Sequence, residues 1–234
     1  MVILPLTAAG LTVRRGGRPI LGPLDLTVAG RGITVVIGPN GSGKTTLLRA
    51  LHGLDRPREG TVRWAVPVEE ARRRQAFVFQ SPVLLRRSVR ENIAYPLRLQ
   101  RQPGIAARVE AVADRLGLGR LLDQRAPSLS AGESQKLALA RALVMEPEVL
   151  FLDEPCASLD GAATRDIEAA LRATRAAGTR IVMSTHDMGQ ARRLADEVVF
   201  LNKGRIAATG PAPDFFTTPP TAEAAAFLNG DLLP

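Results

Sequence analysis

Residues 38–45 of the chain, GPNGSGKT, have the types and spacing needed to grip a phosphate group. They match the pattern G-x-x-x-x-G-K-[ST] and lie between an apolar strand pattern and a helix pattern. Glycines let such a loop curl so that several backbone N–H groups point at phosphate oxygens. The following helix directs its positive N-terminal end at the same place. The loop therefore predicts a nucleoside triphosphate site, formed by Gly38, Pro39, Asn40, Gly41, Ser42, Gly43, Lys44, Thr45 and Thr46.

Four side chains are expected to have separate roles in the chemistry. Two belong to the loop, and two are carboxylates later in the chain. Lys44 would supply charge to the β- and γ-phosphates, and the Thr45 hydroxyl would bind Mg²⁺. Asp153 and Glu154 follow the apolar run at residues 149–152. Successive residues at a strand end point in different directions, so we expect Asp153 beside the Mg²⁺ and Glu154 polarising the attacking water. The alternative is a solvated pair of acids, and the residues alone leave it open.

The elements that must position these residues alternate between strand and helix patterns. Short strands at residues 11–15 and 19–28, separated by Gly16 and Gly17, are typical of an antiparallel pair. Later runs are apolar or β-branched across their whole width, as in parallel strands buried on both faces. Helices are predicted at about residues 43–51 and 164–176. The later strands are predicted at residues 33–37, 77–80, 149–152, 180–184 and 198–201.

The middle of the chain has a helical pattern instead. From about residue 88 to residue 145 the apolar spacing is helical, with one helix at residues 105–116 and an apolar helix after Gly132. The end, residues 215–233, is expected to form one or two short helices. The whole pattern predicts an α/β fold with a mainly parallel sheet, an N-terminal antiparallel part and an inserted helical segment.

Five further sequence elements identify a resemblance to a known family. The run Leu-Ser-Ala-Gly-Glu at residues 129–133 resembles the LSGGQ signature of ATP-binding-cassette (ABC) proteins. Four other elements of the family match this chain, in the family's order. A Gln after an apolar strand matches Gln80, and two acids at a strand end match residues 153–154. A Ser-Leu-Asp just beyond the acids matches residues 158–160, and a later His matches His186. The resemblance implies one P-loop NTPase ABC cassette over residues 1–234. Its RecA-like core would be residues 1–87 and 146–234, with a helical signature subdomain at about 88–145.

The resemblance also implies a site shared between two copies of the chain. In the family, two cassettes pair head to tail, and each ATP lies between the P-loop of one and the signature of the other. Ser130 and the N–H of Gly132 would offer the second anion site, because they lie at a helix start. His186 would hydrogen-bond the γ-phosphate, Gln80 would reach the Mg²⁺ or the water, and Asp160 would contact the opposite subunit. The implied cofactors are ATP and Mg²⁺, with catalytic residues Glu154, His186 and Gln80, and metal ligands Thr45, Gln80 and Asp153.

Three residues depart from the family pattern. Ala131 replaces a usual Gly, which is tolerable unless that position needs a positive φ. Glu133 replaces a common Gln, and it has no clear consequence. Arg15 stands where the family usually has an aromatic residue that stacks on adenine. Because a guanidinium plane can also stack on a base, we expect Arg15 to cover the adenine; the alternative is a solvated Arg15.

Composition narrows the classes of protein. The net charge is +8, but the arginines are scattered and aromatic residues make up only 4%, so no nucleic-acid platform is predicted. No run approaches the ~20 apolar residues of a membrane span, and the start MVILPL is too short for a signal peptide, so the chain is predicted to be soluble by itself. Cys156 is the single cysteine, which fits a reducing compartment and predicts a small buried hydrophobe.

The resemblance implies a transport partner. The chain carries one cassette and no long coiled-coil insert, which favours the ATPase of an ABC importer acting with a separate membrane permease, and indirectly with a periplasmic solute-binding protein. Residues 79–95 resemble importer cassettes, where this stretch meets the permease, and the protein would then lie at the cytoplasmic side of the inner membrane. These residues, Phe215-Phe216 and residues 227–232 most resemble tungstate importers and, less, phosphate importers. The alternatives are another small-solute importer, an exporter, or a soluble ABC ATPase acting on nucleic acid.

Overall fold

The computed structural model describes residues 2–231 of the chain. The strands are β1 (Leu6–Arg15), β2 (Arg18–Val28), β3 (Ile33–Ile37), β4 (Glu59–Arg63), β5 (Gln75–Val78), β6 (Val149–Asp153), β7 (Arg180–Ser184), β8 (Glu197–Asn202) and β9 (Arg205–Pro211). The helices are α1 (Lys44–His52), α2 (Val68–Arg73), α3 (Val89–Leu99), α4 (Ile105–Arg115), α5 (Ala131–Leu143), α6 (Gly161–Ala176), α7 (Met188–Leu194), α8 (Ala212–Thr217) and α9 (Ala222–Asn229).

A six-stranded sheet forms the centre of the protein. Its order is β5-β6-β7-β3-β8-β9, and all neighbours are parallel except β8 and β9. Every residue of β3, β6 and β7 is buried. The prediction of parallel strands covered on both faces is therefore confirmed. Because parallel strands end at the same edge, the loops after β3, β6 and β7 come together there.

A second, antiparallel sheet has the order β2-β1-β4. Gly16 and Gly17 connect β1 to β2 with φ angles of 55° and 79°, the positive values that a two-residue type I′ hairpin turn requires. The apolar face of this sheet packs in one buried cluster with α1 and with one face of the central sheet, including Leu11, Leu47 and Phe151. The antiparallel sheet thereby holds Arg15, the last residue of β1, near the end of β3.

Helices α3, α4 and α5 lie within the stretch that the sequence predicts as helical. Their apolar faces join the other large buried cluster, which includes Ile93, Val109 and Leu139. Ser88 caps α3 in a capping box: its hydroxyl accepts from the Glu91 N–H, and the Glu91 carboxylate accepts from the Ser88 N–H. The fully buried Asn92 fixes the segment before α3 through hydrogen bonds with both the N–H and the carbonyl of Leu85. The division into a core and a signature subdomain stays a prediction.

The structure corrects several predicted bounds. β5 runs from Gln75 to Val78 rather than over residues 77–80, so Gln80 lies in the loop beyond it. α6 begins at Gly161 rather than near residue 164, because the Asp160 side chain caps it. Four elements were missed, namely β4, α2, α7 and β9; all are short or rich in glycine, alanine or charge, so their periodicity is weak. The predicted terminal helices are α8 and α9, and residues 232–234 lie outside the described residues.

The helices of the described residues do not have the length and composition of membrane spans. None of the helices within residues 2–231 is long and apolar enough to cross a bilayer. The longest, α6, has 16 residues and carries charged side chains, whereas a span needs ~20 mainly apolar residues.

Candidate nucleotide site

The loop after β3 and the loops after β5, β6 and β7 enclose a cavity at the carboxyl edge of the central sheet. Its volume is about 670 Å³. That edge is where α/β proteins generally bind ligands. Two lining residues, Arg15 and Ile20, come from the antiparallel sheet, and only Ile20 was not predicted. The others come from α1 and from loops that follow strands of the central sheet, namely Asn40, Gly41, Gly43, Lys44, Thr45, Thr46, Gln80, Glu154 and His186.

The glycine loop is shaped by close backbone approaches. Gly38 has a φ of 149°, and a Cβ atom there would lie 2.1 Å from the carbonyl oxygen of Leu201, so only glycine fits. Gly43 has a φ of 105° and precedes α1 directly. The Ser42 hydroxyl is buried and has no hydrogen-bond partner among residues 2–231. An unpaired buried hydroxyl is costly, and Ser42 is not among the residues that line the cavity.

Lys44 reaches back across the loop. Its Nζ donates to the carbonyls of Gly38 at 2.9 Å and Pro39 at 3.1 Å and lies 3.9 Å from Oε1 of Glu154. The side chain is 6% exposed. Burial lowers the pKa of Lys44, and the nearby carboxylates of Glu154 and Asp153 oppose that shift. A desolvated ammonium with mainly neutral partners is a strong site for a phosphate anion.

The side-chain oxygens of Thr45 and Asp153 lie next to each other. The hydroxyl of Thr45, in α1, donates to Oδ1 of Asp153, at the end of β6, at 3.0 Å. Ser184, at the end of the neighbouring β7, donates to the same oxygen at 2.7 Å. Asp153 is 4% exposed, and a buried carboxylate next to a hydroxyl is a donor set suited to a hard divalent cation. The predicted metal ligands Thr45 and Asp153 therefore lie together.

Glu154 is fixed from several directions. Its backbone adopts a φ of 44°, an uncommon and strained value for a residue with a side chain. Its N–H donates to the Ser184 hydroxyl at 3.0 Å. Its Oε2 lies 2.8 Å from Nδ1 of His186 and accepts a hydrogen bond from Nε2 of Gln80 at 3.5 Å. The three residues predicted as catalytic, far apart in sequence, thus meet at one carboxylate.

The signature residues lie outside this cavity. Ser130 caps α5: its hydroxyl accepts from the N–H of Glu133 at 3.3 Å, and Glu133 accepts from the Ser130 N–H at 2.8 Å. This capping box lowers the pKa of Glu133 through the bond from the Ser130 backbone, and it gives a structural reason for glutamate at that position. Neither Ser130 nor Gly132 lines the cavity that holds the glycine loop.

Gly132 and Asp160 have definite structural partners in their own chain. A Cβ atom on Gly132 would lie 2.8 Å from Cβ of Ala163 on α6, so glycine permits the close packing of α5 on α6. Asp160 caps α6 by accepting from the N–H groups of Ala162 and Ala163 at 2.9 and 2.8 Å. Its expected contact with an opposite subunit stays a prediction. Ala131 lies in the first turn of α5 and is not among the residues with positive φ, so the methyl group causes no backbone strain.

Arg15 also lines the cavity. Its side chain is 60% exposed, and its Nη2 lies 3.5 Å from Oδ2 of Asp55. Asp55 also accepts two hydrogen bonds from Arg49 of α1, at 3.1 and 2.9 Å. Arg15 therefore lies at the same cavity as the glycine loop, whereas its role in nucleotide binding and its stacking on adenine stay predictions.

Sequence reasoning missed three residues that shape the site. Ser184 supports both acids, Ile20 lines the cavity, and Asp55 pairs with Arg15. A signal existed for Ser184, because it ends an apolar run just as Asp153 does, and the two residues are partners in the β6–β7 register. No pattern in the sequence pointed to Ile20 or Asp55.

Comparisons with known proteins agree with this geometry. A sequence model described as ABC transporter matches residues 21–157. The chain is 42% identical over 217 residues to the tungstate uptake system ATP-binding protein TupC of Peptoclostridium acidaminophilum, covering 91% of this chain and 100% of that protein. It is 40% identical over 249 residues to the phosphate import ATP-binding protein PstB 2 of Natronomonas pharaonis, covering 97% and 87%. The solved structure of cbiO1 from Clostridium perfringens, part of the ABC transporter complex cbiONQ, superimposes with a TM-score of 0.83 at 28% identity, covering 92% of each chain.

Proposed function

The chain belongs to the ABC transporter family and is an ATPase coupled to transport, and from this premise we propose that it powers the import of tungstate or a related oxyanion through a separate permease. The observation that best supports the ATPase site is the group of contacts around Glu154, which links Gln80, Ser184 and His186 to the edge of the glycine loop. The import and substrate parts rest on similarity to TupC and PstB 2.

Nucleotide binding is expected from the desolvated Lys44 ammonium, whose hydrogen-bond acceptors in the described residues are neutral carbonyls. Triphosphate oxygens would accept hydrogen bonds from Lys44, from backbone N–H groups of the glycine loop and from the N-terminal end of α1. Lys44 then exchanges two neutral carbonyl partners for charged oxygens, which are stronger acceptors.

A magnesium ion would be held by Thr45 and Asp153, with Gln80 close to the same edge. When bound, Mg²⁺ would neutralise phosphate charge. The 2.7 Å hydrogen bond from Ser184 keeps the Asp153 carboxylate oriented toward Thr45. Ser184 is thus a positioning residue that acts through Asp153.

Hydrolysis would be promoted by Glu154 acting on the attacking water. Its carboxylate is the group best placed to accept the water proton, and its backbone and side chain are both anchored, by Ser184 and His186. His186 is 59% exposed, so its ring can also face the γ-phosphate. Gln80 contacts the same carboxylate oxygen and would report on the nucleotide to the neighbouring loop.

The site is expected to be completed by a second copy of the chain. Ser130 and Gly132 lie at the N-terminal end of α5, where backbone N–H groups and the helix dipole favour an anion. Because they do not line the cavity of their own chain, they are available to an ATP held by another copy. Two cassettes arranged head to tail would then enclose two ATP molecules, with Asp160 near the partner. Loss of the γ-phosphate would loosen the pair and so transmit nucleotide state.

Adenine would rest against Arg15. Arg15 lines the same cavity as the glycine loop, and a planar cation can stack on a base as an aromatic ring does. The Arg15→Ala variant should raise the ATP dissociation constant. An unchanged constant would remove Arg15 from this role.

The permease would dock in a groove beside β5. β5 is the outer strand of the central sheet, and a second cavity of about 300 Å³ lies between it, α3 and α5. Phe79, Val83 and Tyr95 line it and are 38%, 77% and 44% exposed. Exposed apolar side chains around a groove are typical of protein-binding surfaces, and a permease held here would place the cassette at the cytoplasmic face of the membrane, with a periplasmic solute-binding protein acting indirectly.

The substrate class depends on the relatives. TupC is named for tungstate uptake and PstB 2 for phosphate import, and both solutes are tetrahedral oxyanions. A cassette does not contact the transported solute, so the choice among oxyanions rests on analogy. Another small solute is the competing assignment.

The test is to co-purify the cassette with the permease encoded nearest to its gene and to reconstitute both in liposomes. We expect slow ATPase activity alone and stimulation by a tungstate-loaded binding protein, with the Glu154→Gln variant binding ATP, losing turnover and accumulating as an ATP-bound dimer. Stimulation by another solute instead of tungstate would correct the substrate. Stimulation by DNA or RNA with a steep salt dependence would contradict a transport role, and wild-type turnover in Glu154→Gln would remove Glu154 from its role.

A further inference from the structure

Arg15 has a fixed anionic partner at the rim of the nucleotide cavity. Its Nη2 lies 3.5 Å from Oδ2 of Asp55, although the two residues are far apart in the chain. The neighbouring Arg14 is engaged elsewhere, with Glu59 and the carbonyl of Gly17. Arg15 is therefore the arginine of this strand end that both lines the cavity and touches a carboxylate.

Asp55 is held far more firmly than Arg15. Its carboxylate accepts hydrogen bonds from Nε and Nη2 of Arg49 at 3.1 and 2.9 Å, the two-point arrangement that fixes a carboxylate in both position and orientation. Its backbone N–H donates to the Arg49 carbonyl at 3.2 Å. The Asp55 side chain is 17% exposed, whereas that of Arg15 is 60% exposed. Hydrogen bonding to Asp55 also raises the pKa of Arg49.

This arrangement ties Asp55 to the helix that begins at the phosphate loop. Arg49 belongs to α1, whose first residue is Lys44. The carboxylate therefore keeps a constant position relative to the phosphate groups that the loop would bind. A flexible side chain that pairs with Asp55 is therefore also held at a fixed position relative to those phosphate groups.

We infer that Asp55 is a positioning residue that holds the Arg15 guanidinium at the base end of the cavity, so that it covers adenine instead of turning toward the phosphates. The inference rests on the proposed role of Arg15. A guanidinium is a strong phosphate ligand, and a triphosphate bound in the same cavity would attract an unrestrained arginine. The Asp55 carboxylate offers a competing counter-charge at the rim.

An aromatic residue at position 15 would need no such partner, because it carries no charge that the phosphates attract. The affinity for ATP relative to tripolyphosphate should therefore depend on Asp55 only when residue 15 is arginine. This coupling distinguishes positioning of Arg15 from a general effect of Asp55 on the fold or on the charge of the cavity.

The experiment is calorimetric titration of the full chain with ATP and with tripolyphosphate, in EDTA so that no turnover occurs. The readout is the ratio of the two dissociation constants, because removing a negative charge near the cavity should tighten both anions and largely cancel in the ratio. Asp55→Asn should raise the ratio of the ATP constant to the tripolyphosphate constant roughly two- to five-fold, the effect expected of one partly exposed ion pair. In an Arg15→Tyr background the same substitution should leave the ratio unchanged.

Each other outcome contradicts a particular statement. An unchanged ratio in Asp55→Asn, with a raised ratio in Arg15→Ala, would overturn the positioning role and leave Arg15 at the adenine. An equal rise in the Arg15→Tyr background would also overturn it, because Asp55 would then act without Arg15. An unchanged ratio in Arg15→Ala itself would instead remove the proposed contact between Arg15 and adenine. Circular dichroism of each variant checks that the chain is folded.

Discussion

The hydroxyl of Ser184 donates a 2.7 Å hydrogen bond to Oδ1 of Asp153, and the two residues are register partners at the carboxyl ends of adjacent parallel strands. The same hydroxyl accepts from the N–H of Glu154. One fully buried serine therefore orients both acids of the site. It touches neither the loop nor the cavity, so its effect on chemistry passes through the acids.

Ser184→Ala should reduce both stability and turnover. The variant leaves a buried carboxylate with one fewer hydrogen bond, which costs about 1.5–3 kcal/mol for a charged acceptor. Chemical denaturation would measure the first effect and steady-state ATPase assays the second, with a lower kcat expected. Ser134→Ala on α5, a partly buried serine with no side-chain hydrogen bond among those found, is the matched control and should change the free energy of unfolding by less than about 0.5 kcal/mol. Equal effects of the two substitutions would contradict the role of Ser184.

Lys44→Ala should remove most of the affinity for nucleotide. A buried, charge-assisted phosphate contact is worth about 1.5–3 kcal/mol or more, so the ATP dissociation constant should rise at least tenfold. Calorimetric titration measures it directly. Arg56→Ala removes an equal charge from an exposed position and should leave the constant nearly unchanged. Full affinity in Lys44→Ala would contradict the assignment of the loop.

Gly132→Ala should destabilise the protein, although alanine is the better helix former. The added Cβ would lie 2.8 Å from Cβ of Ala163, and overpacking of this kind costs about 1–3 kcal/mol. Gly161→Ala is the matched control, since its Cβ would meet only the mobile end of Arg165, at 3.4 Å. Thermal and urea unfolding should show a loss for Gly132→Ala and little change or a gain for Gly161→Ala. A gain in both would show that α5 and α6 are less closely packed than described.

His52 should make stability depend on pH between about 6.5 and 4. Burial lowers its pKa from 6.5 to about 4, with Arg72 contributing, and its ring packs edge-on against Phe77 and Phe151. In this window the unfolded chain binds a proton that the native chain does not. Stability is therefore fully present above pH 6.5 and is lost as pH falls, by roughly 3 kcal/mol at pH 4. Urea unfolding across this range should give a smaller slope for His52→Gln than for the parent, and equal slopes would contradict a buried neutral histidine.

Much of the fold could be read from local patterns. Ile33–Ile37 is apolar or β-branched throughout, and Arg180–Ser184 is apolar at its three central residues, a pattern typical of strands covered on both faces. β9 could not be found in this way, because its residues, RIAATGP, show no regular apolar pattern and it derives its structure from pairing with β8. The start of α6 was placed too late because Gly161 and its neighbours carry no amphipathic signal, whereas the Asp160 cap is evident only once the helix is seen.

The sequence by itself determined the identity of the phosphate loop, the two acids and the signature, because these depend on residue type and spacing within short segments. Only the tertiary structure decided which other residues contact and orient them. Ser184 reaches Asp153 through the register of β6 and β7, and Asp55 reaches Arg15 across the junction between α1 and the antiparallel sheet. Register and sheet packing are set by apolar surfaces that distant segments bury together, and the partner of a single charged side chain follows from that packing rather than from the residues beside it in the chain.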